Sequence, residues 1–198
     1  MLTRRFFSRS TVEVAQALLG CRLVSQIDGV TTAGLIVETE AYLFGNDSAC
    51  HANKARTART EVMFGPAGFA YVYPIHAKHC FNIVTERPEV GCAVLIRALE
   101  PNAGIEQMKQ RRGVDDLRRL TTGPACLCQS LGIDREVNGR DLSGLNSEVY
   151  VQTRNRRFRS KFEIKSSPRI GVTSAIDRPL RFYLAGNPFV SGKLKLRH

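Results

Sequence analysis

The side chains best placed to do chemistry are gathered in Gly34-Leu35-Ile36-Val37-Glu38-Thr39-Glu40-Ala41-Tyr42. Leu35, Val37, Thr39 and Ala41 alternate with Ile36, Glu38, Glu40 and Tyr42. A strand here would bury one side and present two carboxylates and a phenol on the other. That acidic pair stands in a chain whose 29 Lys and Arg against 18 Asp and Glu give a formal net charge of +11. Under a basic surface, a polyanion would be held by the cations while a carboxylate waits where bonds change. The competing reading is an edge strand whose Glu residues face solvent and discourage aggregation. The stretch by itself leaves the two readings level.

An enzyme that acts on a base within DNA must draw the nucleotide out of the stack, hold the flat ring between aromatic faces and bring a polar group to the sugar carbon. The chain supplies such faces at Tyr42, Tyr71, Tyr73 and His51, with Glu40 two residues before Tyr42. Glu40 could take a proton from water attacking the anomeric carbon, and its charge would favour the oxocarbenium-like state as the base leaves. Other chemistries have less behind them. Glu38, Glu40 and Asp47 could be recruited by a metal-dependent nuclease, but alternating strand residues and a loop Asp make no recognisable ligand set. Phosphate-loop and dinucleotide fingerprints are missing, as is a GxSxG nucleophile elbow. Nothing marks Lys54 or Lys78 as the amine that a lyase would need.

The elements that must position these residues can be read in order. Ser10-Thr11-Val12-Glu13 is a capping box for a short helix carrying Val12, Ala15, Leu18 and Leu19, closed by Gly20. Residues 21–25 read as a strand, Asp28-Gly29 as a hairpin turn and 30–42 as the returning strand with the acids. Residues 43–60 form a polar loop, of a length that is usually functional or mobile. Strands are expected at 69–73, stopped by Pro74, and at 80–85, 92–98, 148–153, 169–173 and 179–185. Arg97 ends an apolar run and so needs an acidic or anionic neighbour. A basic helix follows Pro101, another starts at Gly123-Pro124, and Arg154, Arg156, Arg157, Arg159, Lys161 and Lys165 crowd around Phe158 and Phe162 as a phosphate-tracking surface.

Hairpin-clustered strands with a few peripheral helices point to one largely antiparallel α+β domain over residues 1–198. The positive balance points to nucleic acid as partner. There is no secretory signal and no stretch able to cross a bilayer, so an intracellular protein is expected, in cytoplasm or nucleoid, acting as a monomer. The six Cys, at 21, 50, 80, 92, 126 and 128, are scattered among apolar positions, and Cys126-Leu127-Cys128 is too tight for a zinc site.

These residues also resemble a known family. Leu35 to Tyr42, His51, Met63-Phe64, Tyr71-Val72-Tyr73, Cys80-Phe81-Asn82, Leu95 to Pro101, Gly123-Pro124 with Leu127 and Gln129, Arg169 to Val172 and Pro179 to Tyr183 are similar, in order, to the alkyladenine (3-methyladenine) DNA glycosylases. The resemblance implies a metal-free, cofactor-free, monofunctional enzyme of mixed α+β fold. It would hydrolyse the N-glycosidic bond of alkylated or deaminated purines, such as 3-methyladenine and hypoxanthine, in double-stranded DNA. By position, Glu40 is then the general base, with Arg97 and the Val172 carbonyl holding the water. Tyr42, His51 and Tyr73 wall the base pocket, and Asn82 crowds the exocyclic amine of a normal guanine. Two departures stand out. Where the family carries a Tyr wedge, this chain reads Pro74-Ile75-His76-Ala77-Lys78-His79, a residue shorter, with His76 nearest; and Cys126 stands where a Lys is usual. A non-catalytic DNA- or RNA-binding module with structural acids is the alternative.

Overall fold

The structure, a computed structural model, describes residues 1–154 and 163–192. The stretch with the acids becomes β2 (Thr32–Tyr42), and it is not an edge. One flank is taken by β5 (Cys92–Ala103); on the other, β1 (Arg22–Ser25) pairs with Thr32 to Leu35, and β8 (Arg181–Leu184) pairs with Glu38 to Glu40. Hydrogen-bonded on both flanks, β2 also has both faces covered. Glu38 and Glu40 are completely buried, so neither the solvent-facing reading nor the one-sided strand holds.

The remaining strands extend this centre into one eight-stranded sheet. Its path runs β3 (Ala70–Ile75), β4 (Lys78–Thr85), β5, β2, β1 and β6 (Val149–Gln152), with β7 (Ile164–Ser167) beside β8. All the pairings are antiparallel. Helices α1 (Arg4–Phe7), α2 (Thr11–Leu18), α3 (Ile105–Arg112), α4 (Leu117–Thr121) and α5 (Pro124–Leu131) complete the α+β architecture. Ser10 Oγ accepts from the Glu13 amide as the capping box requires, and Thr39 Oγ1 donates to the Ala15 carbonyl, fastening α2 to β2. A second, smaller apolar cluster, comprising Cys50, Ala52, Met63, Phe64, Tyr71, Val84 and Ala93, lies with Tyr42 and Tyr73 against it. It supports the loop that carries His51.

Three expectations are corrected. β3 runs through Pro74, because it is the outermost strand on its side and a missing N–H there leaves no gap in a ladder. β5 likewise continues through Pro101, where β2 is its partner and β4 has already ended. Residues 169–173 are a loop, with the strand formed earlier as β7. Gly171 has φ +78°, and the polar groups of Arg169 and Ile170 are spent on carboxylates instead of a neighbouring strand. The sequence pattern gave no sign of the five-residue α4. The basic and aromatic residues 156–162 lie outside the described residues. Among those described, no helix is long and apolar enough to cross a membrane. All six Cys are free thiols, five buried and Cys126 half-buried.

Candidate active site

Register places the site. Residues directly opposed in an antiparallel sheet share a face. Tyr71 lies opposite Asn82, Asn82 opposite Leu95, Leu95 opposite Glu40, and Glu40 opposite Arg181, so one row crosses five strands. Tyr73, two residues from Tyr71, and Tyr42, two from Glu40, belong to the same face. On β5 the register slips: Thr39 pairs with Ile96 and Glu38 with Ala98, leaving Arg97 unmatched. Such a bulge re-aims a side chain. Here it lets one guanidinium span both acids, with Nε 3.4 Å from Glu38 Oε1 and an NH2 group 3.3 Å from Glu40 Oε2.

Each acid has further donors. Glu38 accepts from Arg181 Nε at 2.5 Å and from the Ser191 amide at 2.8 Å. Arg181 is itself fully buried and also donates to Ser167 Oγ and the Ser191 carbonyl. Glu40 accepts from the Tyr42 hydroxyl and from the Ile170 amide, both at 2.8 Å. The Ile170 carbonyl in turn accepts from Arg97 at 3.4 Å. Burial opposes the charge on Arg97, but Glu40 and Glu38 outweigh it and raise its pKa, so the cation is secure. Tyr42 is held neutral, its pKa raised by burial and by the Glu40 carboxylate.

The loop at 43–60 is organised by Asp47, a residue the sequence marked only as a conceivable metal ligand. Its carboxylate accepts from the amides of Leu43 and Ala49 and is gripped by both terminal nitrogens of Arg169 at 2.6 Å, with both side chains fully buried. Burial pushes the Asp47 carboxyl up, yet Arg169 and the two amides prevail and leave it below its ordinary value. Arg169 also donates to the Ala41 carbonyl and lies over the Tyr42 ring, 4.6 Å from its centroid. One ion pair thus ties the start of the loop, the Tyr42 ring and the Ile170 amide together. With Asp47 committed to Arg169, and Glu38 and Glu40 committed to guanidinium and amide donors, the three carboxylates do not converge on a metal position. Among the described residues there is no cluster of three or more ligating side chains elsewhere either.

Across the face stand the other aromatic groups. His51 opens a short 3-10 turn, His51–Asn53, with its ring 4.7 Å from that of Tyr73 at 77° and Nδ1 3.0 Å from the Tyr71 hydroxyl. Arg59 approaches Nε2 at 3.4 Å. A guanidinium can only donate, so Nε2 is the acceptor and the proton sits on Nδ1, toward Tyr71. Burial, then Arg59 and Lys54, push the His51 pKa down to about 4, so the ring is neutral near pH 7. Asn82 is buried, its Nδ2 donating to the Tyr71 carbonyl at 3.0 Å. Glu40, Arg97, Tyr42, His51, Tyr73 and Asn82 are therefore brought to one face.

Two anticipated residues stand apart. Val172 is a half-exposed loop residue, and the main-chain groups that touch Glu40 and Arg97 are those of Ile170. His76 is exposed at the tip of the β3–β4 hairpin, where it and Ala77 both have positive φ, 45° and 60°. Both angles positive define a two-residue turn that matches the twist of its strands. Ile75 beside it is 42% exposed. Cys126, on α5, accepts from Arg112 and touches none of the residues of the row.

The sequence matches the methylpurine-DNA glycosylase family over residues 5–188, nearly its full length, and the chain belongs to that family. Among its relatives, a protein of Methanoculleus marisnigri is 48% identical over 191 residues, covering 96% of this chain and 98% of its own. One from Carboxydothermus hydrogenoformans is 46% identical over 98% of this chain and 100% of its own, and one from Rhodopirellula baltica is 46% identical over 98% and 84%. All three are provisionally named 3-methyladenine DNA glycosylases.

Proposed function

We propose that this protein is a monofunctional DNA glycosylase that flips alkylated or deaminated purines, of the 3-methyladenine and hypoxanthine type, out of double-stranded DNA and hydrolyses their N-glycosidic bond. The observation that carries the reading is Glu40: a fully buried carboxylate whose Oε2 is capped by the hydroxyl of a half-exposed tyrosine. A phenol at the rim can be exchanged for a water bound to the same oxygen. As that water attacks C1′, the C1′–N bond breaks with its electron pair going to the purine, and Glu40 takes the proton. The carboxylate's charge also favours the oxocarbenium-like state. Arg97 holds Glu40 in place from 3.3 Å, and the Val172 carbonyl, two residues beyond Ile170 on the same loop, would accept the water's second hydrogen.

The extruded ring is held among Tyr42, His51 and Tyr73. A neutral His51 suits this task, because it adds no charge against a cationic purine. Asn82 lies two strands from Glu40, roughly 10 Å at ordinary strand spacing, where it would crowd the amine of a normal guanine. His76, at the hairpin tip, is the candidate to fill the gap left in the duplex. Alkylation assists by making the purine a better leaving group. The surplus of Lys and Arg holds the phosphates, so affinity should fall steeply with salt.

The test is a panel of duplexes, each carrying one lesion, assayed for abasic-site formation with the wild-type protein. Release of 3-methyladenine or hypoxanthine is expected without added metal. Binding to these duplexes with no release of any modified base would favour a non-catalytic module.

A further inference from the structure

We infer that Arg59 is a specificity-determining residue, whose guanidinium beside Tyr73 and His51 weights the base slot against positively charged purines and toward neutral ones. The inference rests on the glycosylase reading above and deepens it.

Two tyrosine walls of the slot each carry an arginine. Arg169 lies 4.6 Å from the Tyr42 centroid, but its charge is matched by Asp47 at 2.6 Å on two nitrogens. Arg59 lies 5.1 Å from the Tyr73 centroid and 3.4 Å from His51 Nε2. Among the described residues it has no carboxylate within ion-pair distance: nearby Glu61 is taken by Arg56, and Lys54 adds a further positive charge near His51. One wall is therefore electrically balanced and the other is not.

A purine stacked on Tyr73 would share that ring with the guanidinium. A cationic base such as 7-methylguanine seeks the negative face of the ring, as Arg59 already does, and meets a like charge beside it. A neutral base such as hypoxanthine meets no such repulsion; both bases carry an exocyclic O6 carbonyl able to accept from the guanidinium, so the charge alone separates them. Arg59 is solvent-exposed, so screening reduces the effect. Two like charges roughly 7 Å apart at a partly solvated site alter relative rates by about five-fold.

The experiment places 7-methylguanine and hypoxanthine in the same duplex context and measures excision by each variant at sub-saturating enzyme. Arg59→Gln should raise the ratio of 7-methylguanine to hypoxanthine excision about five-fold, and Arg59→Lys, which keeps the charge, should hold it near the wild-type ratio. His51, followed by NMR titration in the same proteins, should titrate higher in Arg59→Gln than in the wild type, where burial, then Arg59 and Lys54, hold it low. An unchanged ratio in an active Arg59→Gln protein, including an equal fall for both lesions, would overturn the inference and leave the glycosylase reading standing. So would an unmoved His51 titration, or a Lys variant that shifts the ratio as far as Gln does. A wild-type protein that releases neither lesion would remove the glycosylase reading, and the role of Arg59 with it.

Discussion

Glu38 and Glu40 sit two residues apart on one strand, on one face, both without solvent exposure and both reached by Arg97. Glu40 accepts from three donors, while Glu38 accepts from two and is in ion-pair contact with the third, Arg97. What differs is where those partners are rooted. Those of Glu38 come from Arg97, the buried Arg181 and the Ser191 amide, groups of the sheet and its packing. Two of those on Glu40 come from a half-exposed phenol and a loop amide, at the edge of the interior. A carboxylate becomes usable for chemistry when one partner can be replaced by a reactant without unfolding its surroundings. By that measure the two acids, equal in sequence, differ in whether a partner can be exchanged, and the catalytic role proposed for Glu40 rests on that difference.

Four measurements would break or sharpen the contrast. The largest effect is expected at Glu40→Gln, where the variant keeps its shape and its duplex affinity, while single-turnover excision falls by about 10³-fold or more. Retained excision would take Glu40 out of the mechanism. Glu38→Gln should do the reverse, costing about 4 kcal/mol of stability in urea unfolding because Arg181 is left buried and unmatched, with the folded fraction still active. Equal loss of activity in the two variants, at equal stability, would erase the distinction.

Asp47 belongs with Glu38 in kind, and Asp47→Asn should cost about 3 kcal/mol near neutral pH. Its folded pKa is depressed, so the stability it contributes is present above the unfolded value of about 3.9 and is lost as pH falls through the lower folded value. The gap in urea midpoint between wild type and Asp47→Asn should hold from pH 7 to about 5 and close below about 4. A gap that closes instead around pH 6 would point to another group. The smallest effect is expected at His76, where exchange for Tyr and for Ala should alter excision by about a few-fold in opposite directions, since a larger ring fills the vacated stack better. Equal rates in both variants would mean that the hairpin tip is not the wedge.

The sheet was legible because β-strand alternation and turn residues are local signals, and Ser10, Gly20, Asp28-Gly29 and Gly123-Pro124 punctuate the chain where its elements begin and end. Glu40 was legible as an acid out of place among apolar neighbours. Its burial was not, because which strands flank β2 depends on β5 and β8, some 55 and 140 residues further along the chain. Asp47 and Arg169 were missed as a pair for the same reason: their ion pair spans 122 positions, and neither residue is unusual in its own loop. Pro74 and Pro101 misled because the rule against proline in strands applies only where a neighbour needs the N–H. Arg59 gave one faint signal, a cation in a long loop next to His51.

The thiols carry a last consequence. A protein that mends alkylation damage works where electrophiles are abundant, and cysteine thiolate is the softest nucleophile it owns. Cys21, Cys50, Cys80, Cys92 and Cys128 are sealed in the interior, and burial lifts their pKa values, that of Cys50 to about 11. These side chains are therefore both out of reach and in the unreactive protonated form. The packing that builds the two cores also makes the chain a poor target for the agents whose lesions it meets, with Cys126 as its one partly open flank.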